Sequence, residues 1–158
     1  MNKMTQLISI NKLLQLKKND RRILLEAFIL SGIFRLIVSF VPFKKYKKFI
    51  GKYNEVSSNE IESDSIYLID KISWAVNTIE KYTPWKSTCL VKAIVAQRLL
   101  KKRSIDSTLY LGLKKEKHGT MQAHAWVRCG ELIITGGENK EQFTEVAKFY
   151  LNSRKVGL

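Results

Sequence analysis

The stretch from Thr83 to Leu90 places one of only two cysteines at the start of an apolar helical run. Ser87 or Thr88 can cap this helix, because a side-chain oxygen at that position accepts a first-turn backbone amide. The remaining free amides and the positive end of the helix dipole then stabilise a thiolate. Cys89 is therefore a candidate nucleophile, although a single cysteine is more often a small buried hydrophobic residue.

A nucleophilic cysteine needs a base, and His124 is the most conspicuous candidate. It lies in a β-type segment that is followed by a turn. A two-residue turn at Cys129-Gly130 would pair His124 with Thr135, and directly opposed residues of a hairpin share a face. Thr135 is therefore the residue expected to orient the His124 ring.

Zinc binding is an alternative use of the same side chains. The ligands would be His118, His124, Cys89 and Cys129, which show no close CxxC or HxxxH spacing. That spacing disfavours a metal site, and we expect no cofactor.

The composition predicts one domain over residues 1–158, with 45% hydrophobic residues to build a core. Two cysteines and no recognisable signal peptide indicate a reducing, cytoplasmic setting. The formal net charge of +14 favours anionic partners, although short lysine clusters also serve solubility. Nucleic acid is disfavoured because no binding motif accompanies the charge.

The first third of the chain is helical by pattern. Apolar spacing predicts a helix over residues 1–18 and a longer one over residues 21–40, with Asp20 as its N-cap. The longer helix is apolar on nearly every face, as in a protein core or a membrane. Glu26 and Arg35 divide the apolar run and disfavour a membrane span.

A short basic amphipathic helix is predicted over residues 43–50, between Pro42 and Gly51. It could contact anionic lipid or an acidic partner, and a packed surface helix is the favoured interpretation. The remaining predicted elements are a polar loop over 54–64, helices over 66–81 and 89–100, a strand over 107–113, a hairpin over 122–135 and a C-terminal helix marked by Phe143, Val146, Ala147, Tyr150 and Leu151. This order predicts an α+β fold in which the helix that bears Cys89 packs on a small antiparallel sheet.

Several segments resemble one known family. They are Trp85-Lys86-Ser87-Thr88-Cys89-Leu90, Leu109-Tyr110-Leu111-Gly112-Leu113, Ala123-His124-Ala125-Trp126-Val127, and the N-terminal run from Leu25-Glu26-Ala27 to Val41-Pro42-Phe43. Together they are similar to the transglutaminase-like leader peptidase of lasso-peptide biosynthesis, from about residue 21 onward. The resemblance implies a helical part over 1–53 and a papain-like cysteine protease core over 60–158.

The resemblance also implies an activity and partners. The activity is removal of the leader from a ribosomally made precursor peptide, with Cys89 as nucleophile and His124 as general base. The implied partners are a separate leader-recognition protein and the ATP-dependent lasso cyclase. The family has an Asp five residues after the turn glycine, where this chain has Thr135, so Thr135, Glu138, Asn139 or no residue fills the third role. Two alternatives stay open, namely a non-catalytic scaffold that delivers precursor and an acyl transferase.

Overall fold

The computed structural model describes residues 15–85, 88–116 and 119–153, so the helix predicted over 1–18 lies largely outside it. The described part contains four helices and five strands, which confirms the predicted α+β class. The helices are α1 (Lys18–Phe40), α2 (Phe43–Ile50), α3 (Ser63–Tyr82) and α4 (Cys89–Lys101), and the strands are β1 (Lys52–Tyr53), β2 (Ser107–Lys115), β3 (Met121–Cys129), β4 (Leu132–Thr135) and β5 (Thr144–Leu151).

The five strands form one antiparallel sheet in the order β1-β5-β2-β3-β4. Helix α4 packs against β2 and β3, and α1 and α3 cover its other side. Its apolar residues are almost completely buried, and burying one large aliphatic side chain stabilises the fold by about 1.5 to 3 kcal/mol. The helix predicted to bear the nucleophile is therefore the central helix of the core.

The C-terminal segment is a strand, so the predicted C-terminal helix is wrong. β5 pairs with β2 over most of its length, with Phe149 opposite Leu109 and Tyr150 opposite Thr108. Phe149 and Leu151 are buried, which is the alternation of a strand. The apolar spacing of this segment fits both the period of a helix and the period of a strand. The segment forms a strand because it can pair with the free edge of β2.

The hairpin of β3 and β4 has a different register from the predicted one. Cys129 pairs with Leu132, so Gly130 and Glu131 form the turn, and Gly130 adopts the left-handed region at φ 54°. The register then shifts by one residue, which leaves Ile134 out of the pairing and sets Thr135 opposite Val127. The predicted pairing of Thr135 with His124 is therefore wrong.

Helix α1 ends before Pro42 as predicted, but it lies on the outside of the domain. It buries one face through Ile23, Leu24 and Ala27, whereas Leu25 is 60% and Phe40 81% exposed. The predicted N-cap, Asp20, is wrong, because Asp20 lies inside the first turn of the helix. Its carboxylate forms a 3.0 Å ion pair with Lys71. Within the described residues α1 is the one helix long and apolar enough to cross a membrane, which is weak evidence because core helices and signal sequences also meet that criterion.

Candidate active site

Cys89 is the first residue of α4. Its predicted cap is confirmed for Thr88, whose Oγ1 accepts the Val91 amide at 3.4 Å, while Ser87 lies outside the described residues. The amides of the first helical turn have no intrahelical acceptor, so those of Cys89 and Leu90 form the positive end of this helix. The thiol is partly exposed, and Sγ lies 4.0 Å from the carbonyl oxygen of Ala123. The fold therefore brings Cys89 against the backbone immediately before His124.

His124 lies on β3, and its ring makes a 2.8 Å hydrogen bond between Nε2 and the carbonyl oxygen of Gly136. A carbonyl oxygen can only accept, so Nε2 must carry the proton. In the neutral ring Nδ1 then has the free lone pair. The bond thus selects the tautomer in which Nδ1 is the basic nitrogen.

Two aromatic rings lie beside the His124 imidazole. The Phe143 ring centroid lies 4.8 Å from it and the Trp126 centroid 6.0 Å from it, with interplanar angles of 30° and 26°. Gly112 is the strand partner of His124 on β2, and a Cβ there would lie 2.8 Å from Trp126 and 2.9 Å from Phe143. The absence of a side chain at residue 112 therefore lets the aromatic rings close around the imidazole.

Gly136 supplies the acceptor because of its backbone conformation. Its φ is 73°, in the left-handed region, and a Cβ at this position would collide with the carbonyl oxygen of Ala125. A residue with a side chain cannot take this conformation without moving the carbonyl away from His124. The Gly136-Gly137 pair directly after β4 is the sequence signal that marks this position.

The candidates for a third catalytic member have different environments. Thr135 is buried, and its Oγ1 has no hydrogen-bond partner among the described residues. Asn139 Oδ1 accepts from Gln142 at 3.3 Å, and Glu138 is exposed. The hydrogen bond of the His124 ring goes instead to the backbone carbonyl of Gly136, which is not one of the predicted side chains.

The second cysteine is in a different environment. Cys129 is buried, with 2% exposure, and burial, reinforced by nearby Asp106, raises the pKa of its thiol to about 11 despite the opposing effect of Arg128. A thiol with that pKa stays protonated near neutral pH and is a poor nucleophile or metal ligand. Within the described ranges no group of three or more His, Cys, Asp and Glu side chains could hold a metal, and His118 lies outside them.

Helix α1 supports the segment that leads into Cys89. The Trp85 ring lies 5.3 Å from that of Phe28 between centroids, and its edge is 3.4 Å from the position of a Cβ on Gly32. Because Trp85 precedes Cys89 by four residues, α1 helps to fix the approach to the site.

Residues 46–148 match the family model described as the transglutaminase-like superfamily. This range contains Cys89, His124, Thr135 and Gly136. Comparisons with curated proteins and with solved structures return no significant match.

Proposed function

The chain belongs to the transglutaminase-like superfamily, and we propose that it is a cysteine peptidase that removes the leader from a lasso-peptide precursor. The superfamily includes cysteine proteases and acyl transferases, so cysteine chemistry is the common ground. The observation that carries the proposal is a pair of contacts on β3. Cys89 Sγ contacts the carbonyl oxygen of Ala123, and Nε2 of the next residue, His124, is hydrogen-bonded to the carbonyl oxygen of Gly136. The leader and lasso specificity rests on the sequence resemblance described above.

The first half of the proposed reaction forms a thioester. Nδ1 of His124 takes the proton of the Cys89 thiol, and the thiolate attacks the carbonyl carbon of the scissile peptide bond. The backbone amide of Cys89 at the start of α4 donates to the oxyanion. The tetrahedral intermediate then collapses, the carbon–nitrogen bond breaks, and His124 returns the proton to the leaving amine.

Water completes the cycle. His124 Nδ1 takes a proton from a water molecule, the hydroxide attacks the thioester carbon, and the carbon–sulfur bond breaks with the proton going back to sulfur. Through both halves the Gly136 carbonyl keeps its bond to Nε2, so the ring never has to change tautomer. The products are the free leader acid and the core peptide with a free amino terminus.

Cleavage of the cognate precursor in the presence of its leader-binding protein tests the proposal, with products identified by mass spectrometry. Cys89→Ala is expected to abolish cleavage, whereas the matched variant Cys129→Ala retains it because that thiol is buried away from the chemistry. Cleavage by Cys89→Ala at the wild-type rate would overturn the proposal. Ligation of an added amine to the new carboxyl end would instead assign acyl transfer.

A non-catalytic scaffold is the second candidate, and the threonine in place of the family's aspartate is the observation that favours it. Alkylation distinguishes the two. If the chain is a peptidase, iodoacetamide should modify Cys89 of the folded chain at neutral pH faster than it modifies a small free thiol, and this excess reactivity should disappear in denaturant. A folded-state Cys89 that reacts no faster than a small free thiol would favour the scaffold.

A further inference from the structure

Helix α1 turns a row of apolar side chains outward. Successive members are three or four residues apart, so they lie on one face of the helix and span about 22 Å. Exposed apolar areas of this extent usually mark a binding surface. The row consists of Leu25, Ile29, Ile33, Leu36 and Phe40, which are 47% to 81% exposed.

Helix α2 follows α1 after two residues and adds exposed aromatic and basic side chains. Phe43 is 38% and Phe49 59% exposed, and the helix buries Tyr46 and Ile50 on its inner side. The exposed positions between the aromatic residues are lysines, namely Lys44, Lys45, Lys47 and Lys48.

The charge of this region is strongly one-sided. Residues 17–50 contain nine Lys and Arg against two acids, Asp20 and Glu26, which gives 9 − 2 = +7. Both acids are already paired within the domain, Asp20 with Lys71 at 3.0 Å and Glu26 with Arg103 at 3.0 Å. The lysines of α2 therefore face solvent with little acidic compensation.

An apolar cleft of about 410 Å³ lies between α1, α2 and α4. Phe34 and Ile37 of α1 and Phe49 of α2 form part of its wall, with Lys45 and Arg98 as its two cationic side chains. Phe49 also belongs to the exposed surface, so the cleft extends the apolar area inward.

We propose that the outer row of α1 and the aromatic and lysine side chains of α2 together bind an anionic membrane surface. Lysine is depleted in the cores of protein interfaces, whereas exposed aromatic and aliphatic residues bordered by lysines are typical of helices that lie in a lipid headgroup region. The ion pairs of Asp20 and Glu26 tie α1 to the domain, so the helix lies along the membrane and does not cross it. This inference goes beyond the proposed peptidase activity and does not depend on it.

Co-sedimentation of the full chain with vesicles tests this proposal. Vesicles of phosphatidylcholine mixed with phosphatidylglycerol are expected to bind the protein, and vesicles of phosphatidylcholine alone are expected to bind it at least about tenfold more weakly. Added salt should weaken binding because it shortens the range of the lysine charges. Equal binding to both vesicle types at every salt concentration overturns the proposal.

Two double variants locate the surface. Lys47→Glu with Lys48→Glu, and Leu36→Ser with Phe40→Ser, should each lower binding about tenfold or more. The control Lys81→Glu with Lys115→Glu, on α3 and β2, makes the same change of charge elsewhere, and the control Val56→Ser with Val146→Ser removes exposed apolar side chains elsewhere. Both controls should bind as wild type. Circular dichroism checks that each variant is folded. Equal loss in the controls, or a lipid-free dimer that Leu36→Ser with Phe40→Ser dissociates, would contradict membrane binding by this surface.

Discussion

At the scale of single residues, the central feature is a backbone carbonyl that holds the His124 imidazole. A neutral acceptor stabilises the imidazolium less than a carboxylate does, because hydrogen bonds to ionised groups are roughly twice as strong. It fixes the same tautomer, however, and loss of the correct tautomer accounts for much of the damage when a catalytic aspartate is replaced. In the proposed reaction Gly136 therefore orients the His124 ring, as the third catalytic residue of a triad does, but provides little of the negative charge that a carboxylate would provide.

Gly136→Ala is expected to lower kcat/KM for precursor cleavage by about 10- to 100-fold, because the added Cβ displaces the carbonyl from Nε2. The matched control is Gly119→Ala, at a glycine that also has a positive φ but has nothing within 4 Å of its missing Cβ. Nitrogen NMR of the imidazole provides a second measurement. Wild type should show the Nε2-protonated tautomer, and Gly136→Ala a mixture; an unchanged spectrum and rate would contradict the role of Gly136.

Thr135→Val is expected to retain cleavage within about threefold of wild type and to leave stability equal or raised. The reason is that Thr135 Oγ1 is buried and has no hydrogen-bond partner in the part of the chain that the structure describes, so removing the hydroxyl removes a desolvated polar group. Steady-state cleavage and a urea titration measure the two effects. A hundredfold loss of kcat in a folded variant would show that the hydroxyl takes part in the reaction.

The sequence located Cys89 and His124 through general patterns, an apolar run after a capping residue and a β-type segment before a turn. It could not locate the acceptor of the His124 bond, because the predicted register placed the turn one residue too early and assumed an unbroken hairpin. The register shift at Ile134, whose carbonyl accepts from Ser73 of α3 at 2.7 Å, depends on a helix 61 residues away in the chain. The turn lies one residue later than predicted and the register shift adds a further displacement, so the acceptor is the backbone carbonyl of Gly136 and not the side chain of Thr135.

At the scale of elements, α4 both fills the core and presents the thiol. Its start could be predicted from Thr88, and its end from the basic residues that follow Leu100. β5 could not be predicted, because its apolar spacing suits a helix as well as a strand. Only its pairing with β2 makes it a strand. The elements that local chemistry determines were therefore the ones that the sequence predicted.

Thr88→Ala should lower the free energy of unfolding by about 1 kcal/mol, since it removes the acceptor of the Val91 amide at the start of α4. It should also lower cleavage, because fraying of this turn displaces Cys89. Urea denaturation compared with Thr120→Ala, at an exposed position of the β2–β3 connection, measures the first effect. An equal free energy for both variants would contradict the capping role.

At the scale of the whole molecule, Glu26 joins α1 to the end of α4. Burial alone would raise the pKa of this carboxyl, but hydrogen bonds from Lys102 and Arg103 outweigh burial and lower it below 4.5. A lowered pKa means that the ionised carboxylate stabilises the folded state above about pH 4.5, and that this stabilisation is lost as the pH falls through the lowered value.

Glu26→Gln is therefore expected to cost about 1 to 3 kcal/mol of unfolding free energy at pH 7 and progressively less in acid. Glu55→Gln is the control, because its ion pair with Lys52 is about half exposed on both sides and should change stability by under about 0.5 kcal/mol. Urea titrations at a series of pH values measure both. A Glu26→Gln cost that does not vary with pH would contradict the ionic origin.

The position of β5 has a consequence for how the protein is made. The last strand of the described residues, β5, lies between β1 and β2, so the sheet has a gap until the ribosome has delivered residues 144–151. Phe143, which flanks the His124 ring, arrives with that strand. We expect nascent chains arrested before Thr144 to be protease-sensitive and inactive, and chains released after Leu151 to be neither. The proposed peptidase activity therefore becomes available only after β5 has been synthesised and has joined the sheet.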